Sequence, residues 1–364
     1  MNRESSSAWD SIKRMYNDIR YAYATGRIRS LQKDLVDETT VRRMLETPDE
    51  EAAFAVMMET SYAAYATGAG VSDYERMLEA GLIEAYRLVR SISPDGTLTD
   101  ILLRRYDLHN VRIIIKAEHI GADYKHLIVP MGRVDPDTIA AAWHLRREGW
   151  EEGSESSHIL PPASQISLPR WLERLLYRAA LMIDNSGDLY LVDLMLDKAW
   201  FRGLKAWSKE NSHYLYAWLV VRIDAVNIMG MLRLRAGGWS RERWREIFIE
   251  GGRVSRSKLE SLYDLTPEQA AAGLIDTVYR REIEGGLEDY RKCGELSYME
   301  ALFEARLLEV LRAERYITFG SQPLLAYLLR KEAEVRALRM VMIGKLNGLP
   351  HDIIHKRLRA FLYR

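Results

Sequence analysis

ILLRRYDLHNVRIIIKAEHI (Ile101–Ile120) decides the fold. The stretch is apolar on most faces, and Gly121 follows it. A helix apolar almost all round belongs in an interior rather than on a surface. Glycine after a long apolar run suits a helix C-terminus, where the backbone needs positive φ. Asp107, Asn110 and Arg112 interrupt this helix. An interior tolerates such groups only when they are paired and hydrogen-bonded.

Outward from this stretch, helical spacing dominates. Trp9, Ile12, Tyr16, Ile19 and Tyr23 recur at steps of three and four, which places them on one helix face. Val41, Met44 and Leu45 repeat the pattern before Pro48. Tyr74, Met77, Leu78, Leu82 and Ile83 mark a further helix that ends near the Ser93-Pro94-Asp95-Gly96 turn. Period-two alternation is scarce, and the best strand candidate is Leu127–Val129. The chain therefore reads as all-α. Residues 149–165 (GWEEGSESSHILPPASQ) have the composition of a linker or exposed loop, with a helix expected to start at Ser167 or Pro169.

The sequence also repeats itself. Asp107, Asn110 and Val111 correspond to Asp224, Asn227 and Ile228, and to Glu334, Ala337 and Leu338. Each set is an acid, then a small or amide residue three positions on, then an aliphatic one. Fourteen residues after each acid stands a glycine: Gly121, Gly238 and Gly348. LIVPMGRV (127–134) aligns with IFIEGGRV (247–254), while the third copy runs through Gly348-Leu349-Pro350 into a last helix, Asp352 to Tyr363. Asp193 with Asp197 resembles Glu300 with Glu304. The acids are 117 and 110 residues apart. Three helical bundles are expected, over residues 1–145, 146–263 and 264–364. Arg112 and Arg339 stand five residues after their acids, where the second copy has Met229.

These residues resemble a family. YAYATGRIR (21–29), YDLHNVR (106–112) with VPMG (129–132), and QPLLAYLLRKEAEVR (322–336) followed by GKLNGLP (344–350) look like the C subunit of V/A-type rotary ATPases, called d in eukaryotic nomenclature. The resemblance covers roughly residues 20–364. About 20 residues precede the usual start, and the 149–165 segment departs from the family in composition. The resemblance implies three similar bundles in a pseudo-threefold, funnel-like arrangement. It implies a non-catalytic central-stalk component without cofactor. One face would seat the central shaft (the D and F subunits), the other the proteolipid ring on the cytoplasmic side of the membrane. The chain would be a peripheral rotor part that transmits torque.

Composition bounds the alternatives. The chain has 364 residues, 48% hydrophobic and 29% charged, an ordinary globular balance. Lys plus Arg and Asp plus Glu both number 52, so the basic excess usual in nucleic-acid binders is missing from the total. Cys293 is the single cysteine, which excludes an intrachain disulfide and a zinc site of several thiolates and fits a reducing compartment. Met1 to Ser7 is polar, unlike a secretory signal. The nearest approach to a spanning segment, Leu215–Val221, is stopped by Arg222 and Asp224. Gly344-Lys345 lacks the upstream glycine and following hydroxyl of a P-loop, and Gly68-Ala69-Gly70 lacks the third glycine of a dinucleotide fingerprint.

Other candidate chemistry is weak. His351 and His355, four apart on a helix, are placed for two zinc ligands. No third ligand follows, and Asp352 stands where a zincin has glutamate, so a polar solvated face is the better reading. Cys293 in RKCGE has basic neighbours that would activate a thiol only if they pointed at it. Repetition of the acid argues for a structural network tying helices together rather than for a general acid or base. The aromatic clusters Trp200-Phe201 with Trp207, and Tyr214, Tyr216 and Trp218, fit core packing and protein contact equally. Arg241–Arg245 and Arg253–Lys258 read as solvated faces, or as contacts to acidic loops or lipid headgroups. A helical-repeat scaffold of another assembly is the alternative function, and a zinc enzyme using His351 and His355 the third.

Overall fold

The structure, a computed structural model, describes residues 18–68, 70–151 and 167–362, with side chains described except at 146–151 and 359–362. Trp9, Ile12 and Tyr16, and nearly all of the 149–165 segment, lie outside these residues. Sixteen α-helices form among the described residues, joined by turns and 3-10 segments, with no strand. They are α1 (Ala22–Leu31), α2 (Glu38–Glu46), α3 (Glu50–Met57), α4 (Tyr74–Ile92), α5 (Thr97–Ile120) and α6 (Pro136–Glu151). Then come α7 (Arg170–Ser186), α8 (Leu189–Asn211), α9 (His213–Ala236), α10 (Arg241–Ile247) and α11 (Arg256–Leu262). The last are α12 (Pro267–Ala272), α13 (Arg280–Cys293), α14 (Ser297–Leu311), α15 (Ser321–Leu346) and α16 (His351–Leu362).

Local sequence explains the helix starts. The side chains of Asp37, Asp49, Ser212, Ser240, Ser255 and Thr266 each accept a backbone N–H of the turn they cap. Helix α2 buries Val41, Met44 and Leu45, the three residues whose spacing marked it. Helix α7 begins at Arg170, directly after Pro169.

The chain forms two compact units: Met1–Leu98 with Ser208–Arg364, and Thr99–Trp207. Their limits fall inside α5 and α8. A continuous helix carries the chain across each junction, so the turns that punctuate the sequence do not coincide with the limits of the compact units.

In the unit built from both chain ends, one core gathers Ile228, Trp244, Tyr279, Ile283 and Phe303 from α9, α10, α13, α14 and the turn before α13. Helix α15 is buried along most of its length. In the other unit, Val111 and Ile114 of α5 pack with Ile139 and Trp143 of α6, Leu176 of α7 and Leu196 of α8. Helix α9 is long and apolar enough to cross a membrane, a length the short Leu215–Val221 stretch understated. It is mostly buried within its unit, which a core helix also satisfies.

Candidate functional site

The repeated acids each hold a loop. On α5, Asp107 and Asn110 are fully buried and lie nearly one turn apart, on the same face. Asn110 Oδ1 accepts the Val129 N–H and its Nδ2 donates to the Val129 carbonyl, both at 3.0 Å. One side-chain amide thus satisfies both backbone groups of Val129, as a strand neighbour would. Leu127–Val129 is accordingly not a strand: Lys125–Leu127 is a 3-10 turn, and the bonds a sheet would supply come from Asn110. Asp107 Oδ1 accepts from the amides of Arg133 at 2.7 Å and Val134 at 2.9 Å. Gly132 passes so close that a Cβ there would overlap Oδ1. Asp107 Oδ2 has no partner among the described residues. Burial lifts the Asp107 pKa to about 6, although the Val134 and Arg133 amides and the Arg133 and Arg104 charges pull it down.

Helix α9 repeats the construction. Asn227 Oδ1 accepts the Ile249 N–H at 2.9 Å and Nδ2 donates to its carbonyl at 2.8 Å. Asp224 Oδ2 accepts from Arg253 N at 2.9 Å and Oδ1 from Val254 N at 3.0 Å. Gly252 passes under the carboxylate as Gly132 does. The Tyr279 hydroxyl adds a third donor, 2.6 Å from Asp224 Oδ2. Burial raises the Asp224 pKa against these donors, and burial beside that carboxylate raises Tyr279.

The third acid closes on the other end of the chain. Glu334 on α15 accepts the Val36 N–H at 2.9 Å, across 298 residues. Val36 precedes the Asp37 cap of α2, as Val134 precedes Asp135, which accepts Thr138 N, and as Val254 precedes the Ser255 cap of α11. The match continues. Thr60 Oγ1 donates to Met57 O at 2.6 Å and accepts Tyr62 N at 3.3 Å. Thr277 Oγ1 donates to Leu274 O and accepts Tyr279 N at the same two distances. Residues 36–62 therefore stand to α15 as residues 254–279 stand to α9. Ala337 replaces the clamping asparagine for a visible reason. Five residues before Val36 lies Leu31, in helix α1, where Val134 and Val254 have loop residues Val129 and Ile249 to be clamped. Glu334 also holds Lys331 Nζ at 2.7 Å, and that ammonium lies 4.2 Å from the centre of the Tyr62 ring.

The three glycines close their helices identically. Gly121, Gly238 and Gly348 have φ of 67°, 72° and 60°. In each, the glycine N–H donates to the carbonyl three residues back, and the next N–H reaches five back, to Ala117, Leu234 and Gly344. This is the Schellman arrangement, which only a residue at ease with positive φ completes without strain.

Ion pairs tie neighbouring helices. Arg112 and Lys116 of α5 meet Asp193 of α8, and Arg112 also meets Asp197. Arg233, at the position of Lys116, meets Glu300 of α14, and Arg222 meets Glu304. Arg339 of α15 meets Glu75 of α4 at 2.6 Å. A cleft of about 1090 Å³ opens among α9, α14, α15 and α16, and Arg222, Arg233, Glu300, Glu304, Arg336 and Lys356 line it.

The remaining candidates are engaged locally. The His351 and His355 rings stack at 5.8 Å, and among the described residues no group of three His, Cys, Asp or Glu could hold a metal. The exposed Cys293 thiol donates to the Asp289 carbonyl one turn back. Arg243, Arg245, Arg256 and Lys258 pair with Glu246, Glu260 and Asp276. Trp200 meets the buried Phe201 edge-on at 4.7 Å, and the Tyr214 hydroxyl donates to Leu311 O, while Trp200, Trp207, Tyr214, Tyr216 and Trp218 are half-buried. Tyr279, Thr277 and Thr60 went unread in the sequence, although the repeated Thr-x-Tyr was a signal.

These features define a helical scaffold whose buried polar groups are used to fix its own loops. A family model described as ATP synthase (C/AC39) subunit matches residues 24–357. The chain belongs to this ATP synthase subunit family. Similar proteins include the C subunit of the A-type ATP synthase of Methanocaldococcus jannaschii, 23% identical over 94% of this chain and 87% of the relative. That of Methanothermobacter thermautotrophicus is 25% identical over 93% and 87%. The C subunit of the V-type sodium ATPase of Enterococcus hirae is 21% identical over 91% and 96%.

Proposed function

We propose that this chain is the non-catalytic C subunit of a V/A-type rotary ATPase. It links the central shaft to the proteolipid ring and transmits torque from the cytoplasmic face of the membrane. The observation that carries the reading is the family match over residues 24–357, shared with relatives named as the C subunit of A-type ATP synthases. The geometry supports it physically. A torque coupler needs stiffness, and close-packed helices with fastened loops resist deformation. Asp107 Oδ1 and both oxygens of Asp224 accept backbone amides, which suits a group that fastens loops.

The three acid-and-glycine helices, the third with residues 36–62 beside it, support a reading of three pseudo-equivalent bundles. The cleft among α9, α14, α15 and α16 offers a concave, charge-lined seat for a helical partner such as the shaft. Affinity purification of the full chain from its native membranes tests the reading. Shaft subunits and proteolipid ring are expected to co-purify in stoichiometric amounts. Recovery with an unrelated assembly would overturn it.

A further inference from the structure

The valines held by the repeated acids and the glycines that end the acid-bearing helices delimit three stretches: 36–121, 134–238 and 254–348. Each stretch also carries two acids four residues apart on the helix just before its acid-bearing helix. They are Glu75 and Glu79 on α4, Asp193 and Asp197 on α8, and Glu300 and Glu304 on α14. The first member of each pair lies 32, 31 and 34 residues before Asp107, Asp224 and Glu334.

Two kinds of contact join one stretch to the next. The repeated acid accepts the valine amide: Asp107 from Val134, Asp224 from Val254, and Glu334 from Val36. Cations on the acid-bearing helix meet the next acid pair. Arg112 meets Asp193 and Asp197, and Lys116 meets Asp193. Arg233 meets Glu300, and Arg222 meets Glu304. Arg339 meets Glu75 at 2.6 Å, and the Tyr86 hydroxyl of α4 donates to Glu332 of α15. In all three sets the later residue of the acid-bearing helix meets the earlier residue of its neighbour, so the two helices pair antiparallel. The first set lies within the Thr99–Trp207 unit, and the other two lie within the unit of both chain ends.

The third set is one cation short. Nine residues after the acid, where the first two stretches have Lys116 and Arg233, α15 has the exposed Ile343. Glu79 is half-buried. Burial and then the Glu75 charge lift its carboxyl above the ordinary range, while Arg339 pulls it down.

We propose that the three stretches bind head to tail in a closed cycle of contacts, the third on the first, with α4 as the partner helix of α15. A head-to-tail contact that returns to its first member leaves neither end unmatched. The polypeptide links only the first stretch to the second and the second to the third, so noncovalent contacts alone close the cycle. No order of the stretches along the chain is then privileged. These contacts lie within the chain and do not depend on its partners.

Two experiments on the full chain test this. In the first, the chain is opened between the exposed Ala122 and Asp123, and its natural ends are joined by a flexible glycine-serine linker. Asp107 must then hold Val134 across a break, as Glu334 holds Val36. The reordered chain should show the circular dichroism of the wild type, and a chain that stays unfolded overturns the proposal. In the second, Ile343→Lys supplies the missing cation and should raise the urea midpoint. The gain should vanish when Glu75 is replaced by glutamine. No gain, or a gain that survives Glu75→Gln, means that α15 does not stand to α4 as α5 stands to α8, and equally overturns the proposal.

Discussion

The Val36 amide donates to the Glu334 carboxylate at 2.9 Å, joining the start of the chain to its last long helix. This bond stands where Val134 meets Asp107 and Val254 meets Asp224, so the chain closes its third loop with its own beginning. Val36→Pro removes only that donor, and Leu35 already has the extended ψ of 135° required before proline. It should cost about 1–3 kcal/mol by urea unfolding. Glu334→Ala also strips buried Lys331 of its counter-charge and should cost more, about 3–5 kcal/mol. Equal, negligible losses would detach Val36 from the third copy.

The two aspartates should answer amide substitution differently. Asp107 receives both amides on one oxygen, which asparagine can reproduce, so at about pH 4, where the folded state holds Asp107 protonated, Asp107→Asn should change stability by about 1 kcal/mol or less. Asp224 uses both oxygens. Asparagine there turns an NH2 toward a backbone N–H, and Asp224→Asn should cost about 1–3 kcal/mol. Asp107→Ala strands two buried donors and should lower the melting temperature clearly. Calorimetry of the three variants checks the order.

Asp107 should also give an inverted pH signature. Its folded pKa of about 6 lies above the ordinary 3.8, so between these values the folded state binds more proton than the unfolded state. The destabilisation from its buried charge is absent below about 4, grows as pH rises, and is complete above about 6, reaching at most about 3 kcal/mol. Stability of the wild-type chain minus that of Asp107→Asn should therefore fall between pH 4 and pH 6. A difference that rises with pH would contradict the assignment.

Two glycine substitutions separate packing from backbone conformation. Gly132→Ala places a methyl group against Asp107 Oδ1 and should cost about 1–3 kcal/mol. Gly121→Ala meets nothing within 4 Å and should cost only the strain of positive φ, about 1 kcal/mol. Denaturant midpoints of the two variants measure both.

The long acid-bearing helices and their glycine ends were legible because a single helix carries both signals. The GRV loops were legible because two copies keep them in line. The third copy was only half legible. Its loop lies 298 residues away in sequence, and Asp34 and Leu35 replace the Gly-Arg that marks the other two. Leu127–Val129 stood out as the best strand candidate because periodicity cannot show that a side chain, Asn110, supplies its backbone partners. The limits of the two compact units, inside α5 and α8, carry no turn signal in the sequence, because a helix runs through each.

The coupling role is tested most directly by assembling the rotary complex with and without this chain and measuring ATP hydrolysis and ion uptake together. With the chain present, uptake should follow hydrolysis. Without it, hydrolysis by the head should persist while uptake falls to background. Uptake that continues in its absence, or loss of hydrolysis by the isolated head, would contradict the account.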